Sequence, residues 1–528
     1  MAHHSSCPPL RLLLVAEGST IPAWLVKSLE AVERSGAATV ALVLRAAPAT
    51  EHGALFRLYQ AVDRRLFHSS PDAHAPVKLE TALPNARVIV AADLASAPRV
   101  DVVLDPFALL PDGWSAEAPR YGVWTVRFGL TSDQRTQSAP ALWEVVEGKM
   151  GTETHLCIRR AASDQTVSLY ASVAPSDRRS ASRTQNHVLW KVSAALARKL
   201  QELSEDPDKF LERLRTSAPF EITRNPSRTP GTLAMLRAGT LLLRRYVADK
   251  WRDALYREQW ALAYRHGTTD GSATGNFHQL IPPMDRFWAD PFPIRVGNDY
   301  YIFHEELLYS TGKGTIVLTV MDETGRTTSP IPILERDYHL SYPFVFEWDG
   351  DFFMMPETAA HRQVELYRCV SFPAQWKLER VVLRGVKALD PTPVSLLGKW
   401  WLFANLPAYG AGTLDELHLF HSDSPLGPWT PHLANPIKSD VRSARPAGRI
   451  FEKQGQLYRP AQDCSTRYGG AVAINRIVQL SSDAYEEVET SRVEPNWGPR
   501  VEGVHTFNAV GNLTVIDCLL RRRKRPPD

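Results

Sequence analysis

Asp290-Pro-Phe-Pro-Ile-Arg-Val-Gly-Asn-Asp-Tyr-Tyr-Ile-Phe is the stretch on which the fold turns, because the chain repeats it. Related copies begin at Tyr342 (Tyr-Pro-Phe-Val-Phe-Glu-Trp-Asp-Gly-Asp-Phe-Phe-Met-Met), Asp390 (Asp-Pro-Thr-Pro-Val-Ser-Leu-Leu-Gly-Lys-Trp-Trp-Leu-Phe) and Arg445 (Arg-Pro-Ala-Gly-Arg-Ile-Phe-Glu-Lys-Gln-Gly-Gln-Leu-Tyr). A weaker fifth runs from Gly503 to Ile516. The repeat prolines stand at 291, 343, 391 and 446, so successive copies start 52, 48 and 55 residues apart. Each copy reads as a strand, a tight hairpin turn and an aromatic strand. Units of roughly 50 residues with several strands are the size of propeller blades. Five copies predict a five-bladed β-propeller over residues 256–523, followed by a tail at 524–528.

Upstream the texture differs. Residues 1–215 alternate short β-branched runs with helical spacing: Leu10–Ala16, Thr39–Arg45, Val88–Ala92, Val100–Leu104 and Gly122–Phe128 as strands, and Ile21–Ser35, Ala139–Gly148 and Asn186–Leu203 as helices. This pattern predicts an α/β domain with a mostly parallel sheet. Residues 216–255 form a junction. Within it, Thr232–Tyr256 reads as one basic amphipathic helix, suited to packing between domains or to lying on a membrane surface.

Composition narrows the function classes. The chain has 528 residues, 44% hydrophobic and 23% charged, with a formal net charge of +3. That balance excludes a disordered chain, and it lacks the strong basic field of a nucleic-acid binder. No apolar run reaches the length of a membrane span. The five cysteines are widely spaced with no C-x-x-C pair, which fits a reducing compartment. Without a signal-peptide pattern, the expected location is the cytoplasm, with the inner membrane face as a peripheral alternative. No H-E-x-x-H or similar spacing suggests a metal, and no cofactor motif occurs.

In a propeller the innermost strands line a central channel, so the residues at one repeat phase should gather at its mouth. These are Asp290, Tyr342, Asp390, Arg445 and a fifth-copy residue near Glu502–His505. Carboxylates brought together in this way shift each other's pKa, as paired acid/base work needs. Further candidates for substrate contact are His304 and Glu305 after the first aromatic strand, and Glu357 at the matching place in the second copy. Arg459, Asp463 and His505 complete the set. An arginine at a channel mouth can grip a phosphate or carboxylate.

The first copy, Arg286-Phe-Trp-Ala-Asp-Pro-Phe-Pro, resembles the first blade of the arabinanase/β-xylosidase-like glycoside hydrolases. That resemblance implies that Asp290 is the general base of an inverting mechanism. It also implies that Asp390, in Leu389-Asp-Pro-Thr-Pro-Val, orients the base and tunes the acid. The family's acid is a Glu in a Glu-Gly-Pro segment of the fourth blade, where this chain reads Ser443-Ala-Arg-Pro-Ala-Gly. Glu502, in a similar Glu-Gly-Val-His one blade later, and Glu357 are the substitutes.

A longer set of motifs resembles the N-terminal propeller module of plant glucosamine inositolphosphorylceramide transferases: His339-Leu-Ser-Tyr-Pro-Phe-Val-Phe, Met355-Pro-Glu, Arg459-Pro-Ala-Gln-Asp-Cys-Ser and Tyr468-Gly-Gly. The first domain resembles a formyltransferase fold through Tyr121-Gly-Val-Trp-Thr-Val-Arg-Phe-Gly and Ala139-Pro-Ala-Leu-Trp-Glu-Val-Val-Glu-Gly. That family's catalytic Asn and His fall on Thr125 and Arg127, and a permanently charged Arg cannot serve as a base.

These resemblances imply glycosyl transfer in glycan or glycolipid biosynthesis, on a sugar or glycan substrate with a sugar nucleotide or phosphorylated glycolipid as partner. The alternatives are an inverting glycoside hydrolase and a non-catalytic glycan-binding scaffold.

Overall fold

The computed structural model describes residues 8–46, 53–90, 98–110, 119–129, 139–159, 166–220, 230–267 and 277–524. The chain divides into two compact units, residues 1–246 with 408–412, and residues 247–407 with 413–528.

The first unit is built on a seven-stranded sheet. Its strands are β1 (Leu10–Glu17), β2 (Ala38–Ala46), β3 (Arg87–Val90), β4 (Val102–Leu104), β5 (Val123–Phe128), β6 (Gly151–Arg159) and β7 (Thr166–Pro175). Their spatial order is β3-β2-β1-β4-β5-β6-β7. The pairs from β3 to β5 are parallel, and the two from β5 to β7 are antiparallel. The expected parallel strands are therefore present. The sequence reading missed the β6–β7 hairpin, which makes the sheet mixed. Strand β1 is buried on both faces, with Leu12, Leu14 and Val15 wholly covered, as a central parallel strand must be. Helices Ala23–Ser35 and Ala181–Glu205 supply Trp24, Leu25, Leu29, Leu196 and Leu200 to the same core. Thr125 and Arg127 both lie on β5.

The second unit contains five blades, four of four strands and the fifth of five, where the short strand Val501–Gly503 also pairs with Leu513–Arg523. Blade 1 is Arg286–Val296, Asp299–Leu308, Lys313–Met321 and Ile331–Leu334. Blades 2, 3 and 4 follow in order within residues 341–384, 389–431 and 451–493. Blade 5 takes its inner strands, Phe507–Val510 and Leu513–Arg523, from the C-terminal end. Its outer strands, Tyr256–His266 and His278–Leu280, come from the start of the unit. The ring is thereby closed by an eleven-residue antiparallel register from Tyr256↔Arg523 to His266↔Leu513.

Inner strands are covered on both faces, as in Ser341–Trp348, whereas the outermost Gln375–Arg384 is largely exposed. Phe292, Phe344 and Phe346 pack between blades, with ring centroids 5.2 Å apart for Phe292–Phe344. Each such buried ring contributes roughly 1.5–3 kcal/mol of burial energy.

Candidate active site

The repeat prolines mark a backbone irregularity shared by three blades. Strand pairing slips by one residue between Ala289 and Phe292, between Ser341 and Phe344, and between Leu389 and Thr392. At each slip the residue before proline turns left-handed, with φ of 52° at Asp290, 46° at Tyr342 and 50° at Asp390. Left-handed backbone in a non-glycine residue costs on the order of 1 kcal/mol or more, so the surroundings must hold it. They do so through freed backbone donors that reach other blades. Asp390 N–H donates to Glu357 of blade 2 at 3.0 Å, and Tyr342 N–H donates to Asp290 Oδ2 at 3.2 Å. Asp290 N–H donates to Asp517 of blade 5 at 3.1 Å.

Two charged clusters follow. In the first, Asp290 Oδ1 accepts from the Thr506 hydroxyl at 2.7 Å and lies 3.1 Å from His505 Nε2. The other ring nitrogen, His505 Nδ1, is 3.0 Å from Asp517 Oδ2 but is not aligned for a hydrogen bond. Asp517 Oδ1 accepts the backbone N–H groups of His505 and Thr506 at 2.8 and 3.0 Å. Burial opposes charge on His505, but Asp517 and Asp290 outweigh it and raise its pKa to about 10, so the ring is an imidazolium at neutral pH. Burial likewise pushes Asp290 up; the His505 charge and the Thr506 hydroxyl overcome this and hold Asp290 below the usual carboxylate value. Asp290, His505 and Asp517 have ligand atoms within 4.8 Å of one another and could also hold a metal ion.

In the second cluster Asp390 accepts from Arg445 Nε at 2.6 Å and Nη2 at 3.3 Å, and from Gln462 Nε2 at 2.8 Å. Glu357 lies 3.7 Å from Arg445 Nη2. Burial first, and then the neighbouring Asp390 charge, raise Glu357 well above the ordinary carboxyl value, with Arg445 opposing. Arg445 is thus largely spent on carboxylates inside the ring, and its guanidinium lies over the Tyr468 ring, 5.0 Å from the centroid.

Glu305 belongs to neither cluster. Its Oε1 is buried, unpaired by any hydrogen bond, and 3.3 Å from His339 Nε2. Burial, with the Asp290 charge next, raises its pKa well above normal, opposite to the shift of Asp290. Gly314 makes room for it, since a Cβ there would come within 2.5 Å of Glu305 Oε1. Beside His505 stands an aromatic wall, with Trp260 and Tyr468 ring centroids 4.2 and 5.2 Å from the imidazole. Gly469 (φ 64°) permits that approach, because a Cβ would meet the Trp260 ring at 2.7 Å. Tyr468 is 39% exposed, so the wall is open to solvent.

The structure brings Asp290, Tyr342, Asp390, Arg445, Glu305, Glu357 and His505 together and separates four other expected residues from them. His304 points to the opposite side of its strand from Glu305, fully buried and bonded to Thr319 at 3.0 Å. Arg459 does not reach for an anion: it is 1% exposed and bound to Glu487 at 2.6 Å and to the Ser443 carbonyl at 2.6 Å. Asp463 is paired with Arg492 and caps Ser465 N–H at 2.9 Å. Glu502, expected as a substitute acid, is instead held by Arg467 and Arg521, each at 3.0 Å. Tyr342 is wholly buried. Its hydroxyl contacts Thr392 at 2.9 Å and Gly448 N–H at 2.7 Å, so it bridges blades across the ring and does not present itself to a substrate.

Sequence reading missed Asp517, Thr506, His339, Gln462, Trp260 and the exposed Tyr468. It also missed Asn405, whose buried amide has no partner and which holds the register position of Glu305 and Glu357 in blade 3. Its signal was available: Asn405 lies two residues beyond Phe403, as Glu305 and Glu357 lie two beyond Phe303 and Met355, on the second strand of each copy.

Fold and site together define a five-bladed propeller with a polar, carboxylate-rich centre. Residues 279–504 match the family described as glucosamine inositolphosphorylceramide transferase 1, N-terminal. The glucosamine inositolphosphorylceramide transferase 1 of Arabidopsis thaliana is 41% identical over 207 residues, which cover 38% of this chain and 27% of that protein. The protein of the same name from Oryza sativa subsp. japonica is 40% identical over 206 residues, covering 38% and 28%. The chain therefore spans little more than a quarter of the length of these relatives. Among solved structures, a family 117 glycoside hydrolase from Zobellia galactanivorans aligns over 49% of this chain and 90% of its own at 15% identity and a TM-score of 0.33. The catalytic domain of a GH62 α-L-arabinofuranosidase from Coprinopsis cinerea aligns over 49% and 97% at 11% identity and a TM-score of 0.36. At those values the structural likenesses carry no argument about chemistry.

Proposed function

We propose that the propeller centre is a carbohydrate site and that its reaction is glycosyl transfer in glycolipid or glycan biosynthesis. One observation carries this reading: two buried carboxyl groups whose pKa values are pushed in opposite directions, Asp290 down and Glu305 up, with the Trp260–Tyr468 wall beside the His505 partner of Asp290. Pairs of carboxyls pushed apart in this way divide into base and acid. Aromatic faces suit the apolar face of a sugar ring.

Asp290 receives three contacts, from Tyr342 N–H, Thr506 and His505. Of the roughly four acceptor sites of a carboxylate, one is left for the hydroxyl of an acceptor. In the transfer, that hydroxyl oxygen bonds to the anomeric carbon, its proton passes to Asp290, and the bond to the leaving oxygen breaks. Glu305 donates a proton to that oxygen. Asp390, fixed by Arg445 and Gln462, is held next to Glu357. The similarity to the plant enzymes supports an amino-sugar donor and an inositolphosphorylceramide-like acceptor. The formyltransferase-like reading of the N-terminal unit rests on the strand–helix pattern 121–148 alone and adds no reaction.

The test incubates the full chain with UDP-sugars and inositolphosphorylceramide, and separately with aryl glycosides. Transfer is expected, reduced about 100-fold or more in Asp290→Asn and in Glu305→Gln, with sugar binding by calorimetry retained. Hydrolysis of aryl glycosides without transfer would make the site a hydrolase. Sugar binding without any turnover would make it a binding module.

A further inference from the structure

The helix Thr232–Leu255 buries only Met235 and Ala238. At 100° per residue, Leu233, Leu236, Leu243, Val247 and Trp251 fall within an arc of about 80° on a different side. They are 63%, 56%, 63%, 44% and 66% exposed. A helix that had only to pack its buried side would carry polar residues on this one. Such a run of exposed large apolar side chains marks an interaction face.

Charge indicates what covers it. Arg237 and Arg244 border the stripe on one side and Lys250 on the other, all on exposed positions. The two acidic residues, Asp249 and Asp253, project away from the stripe, and Asp249 is paired with Arg252 at 3.1 Å. The helix runs directly into strand Tyr256–His266, whose first residues pair with Arg523 and Arg522, while Lys524 N–H bonds the Leu255 carbonyl at 3.0 Å. The basic stretch at 521–524 therefore meets the end of the helix, with Arg523 and Lys524 exposed. No helix among the described residues is long and apolar enough to cross a membrane.

We propose that this face lies on an anionic lipid bilayer, with the Leu–Val–Trp stripe in the acyl boundary and the flanking cations at the headgroups. This proposal does not depend on the reaction assigned to the propeller.

Flotation of the full chain with phosphatidylcholine vesicles, with and without phosphatidylglycerol, tests it. Binding is expected on the anionic vesicles and not on the neutral ones, and should weaken with added salt. Arg237→Gln with Arg244→Gln should lower partitioning about thirty-fold. Leu236→Ser, Leu243→Ser and Trp251→Ser together should abolish it, with an unchanged thermal melt because all three sites are exposed. Failure of the wild type to float with anionic vesicles would overturn the proposal. So would flotation of the triple variant like the wild type. A wild type that sediments as a dimer while the triple variant is monomeric would assign the face to a second copy and overturn it equally.

Discussion

At the scale of single residues, His505 shows how far burial alone misleads. Out of water an imidazole should lose its proton, yet two carboxylates hold the proton up to a pKa of about 10. A raised folded-state pKa stabilises the fold fully below the unfolded value of about 6.5, and the contribution is lost as pH rises towards 10. Denaturant midpoints for wild type and His505→Gln should therefore converge between those values. The slope of that convergence should be at most about 1.4 kcal/mol per pH unit. A constant difference across that window would mean that His505 is not charged. Residue-level reading of the sequence put Asp290 and Asp390 at one repeat phase because proline tags them, and their backbones share the left-handed bulge. It could not separate His304 from Glu305, since neighbours on a strand face opposite sides and only the register decides which one looks inward. Arg445 and Arg459 were equally hard to tell apart, one standing before the fourth blade at the ring and the other buried on its second strand.

Among the blades, the repeat was legible because hairpin spacing and aromatic strands recur at a nearly fixed step. The ties between blades were not, because Asp517 meets Asp290 across 227 positions of chain. Nor was the interior of blade 4. There Arg459 and Glu487 form a buried pair, joined by the half-buried Lys438 at 2.6 Å from Glu487, whose pKa falls to about 2. Burial opposes this, but the two cations prevail. Arg459→Leu leaves a buried charge short of its main partner and should cost about 3–5 kcal/mol in thermal or denaturant unfolding. Sugar binding at the centre should survive under conditions where the variant stays folded. Loss of binding in a folded Arg459→Leu protein would return this residue to the site.

Across the molecule, the α/β unit and the propeller were both legible from the change of texture near residue 281. The β6–β7 hairpin escaped because Gly151–Arg159 and Thr166–Pro175 lack the continuous apolar runs that flagged the other strands. The closing blade was also only half visible, for its outer strands precede the first clear repeat. Its importance can be tested at Ala261, fully buried and paired with Cys518. Ala261→Pro removes a ladder donor at the seam. Near-UV circular dichroism should then show the whole ring losing its packing, and proteolysis should cut in every blade. Damage confined to blade 5 would show that the seam is dispensable. The left-handed bulge before the repeat proline has an evolutionary consequence. The ring repeats a socket whose backbone is the same while its occupant is not: Asp, Tyr and Asp fill it in three blades. New chemistry can enter such a ring by exchanging one residue per copy, leaving the architecture inherited.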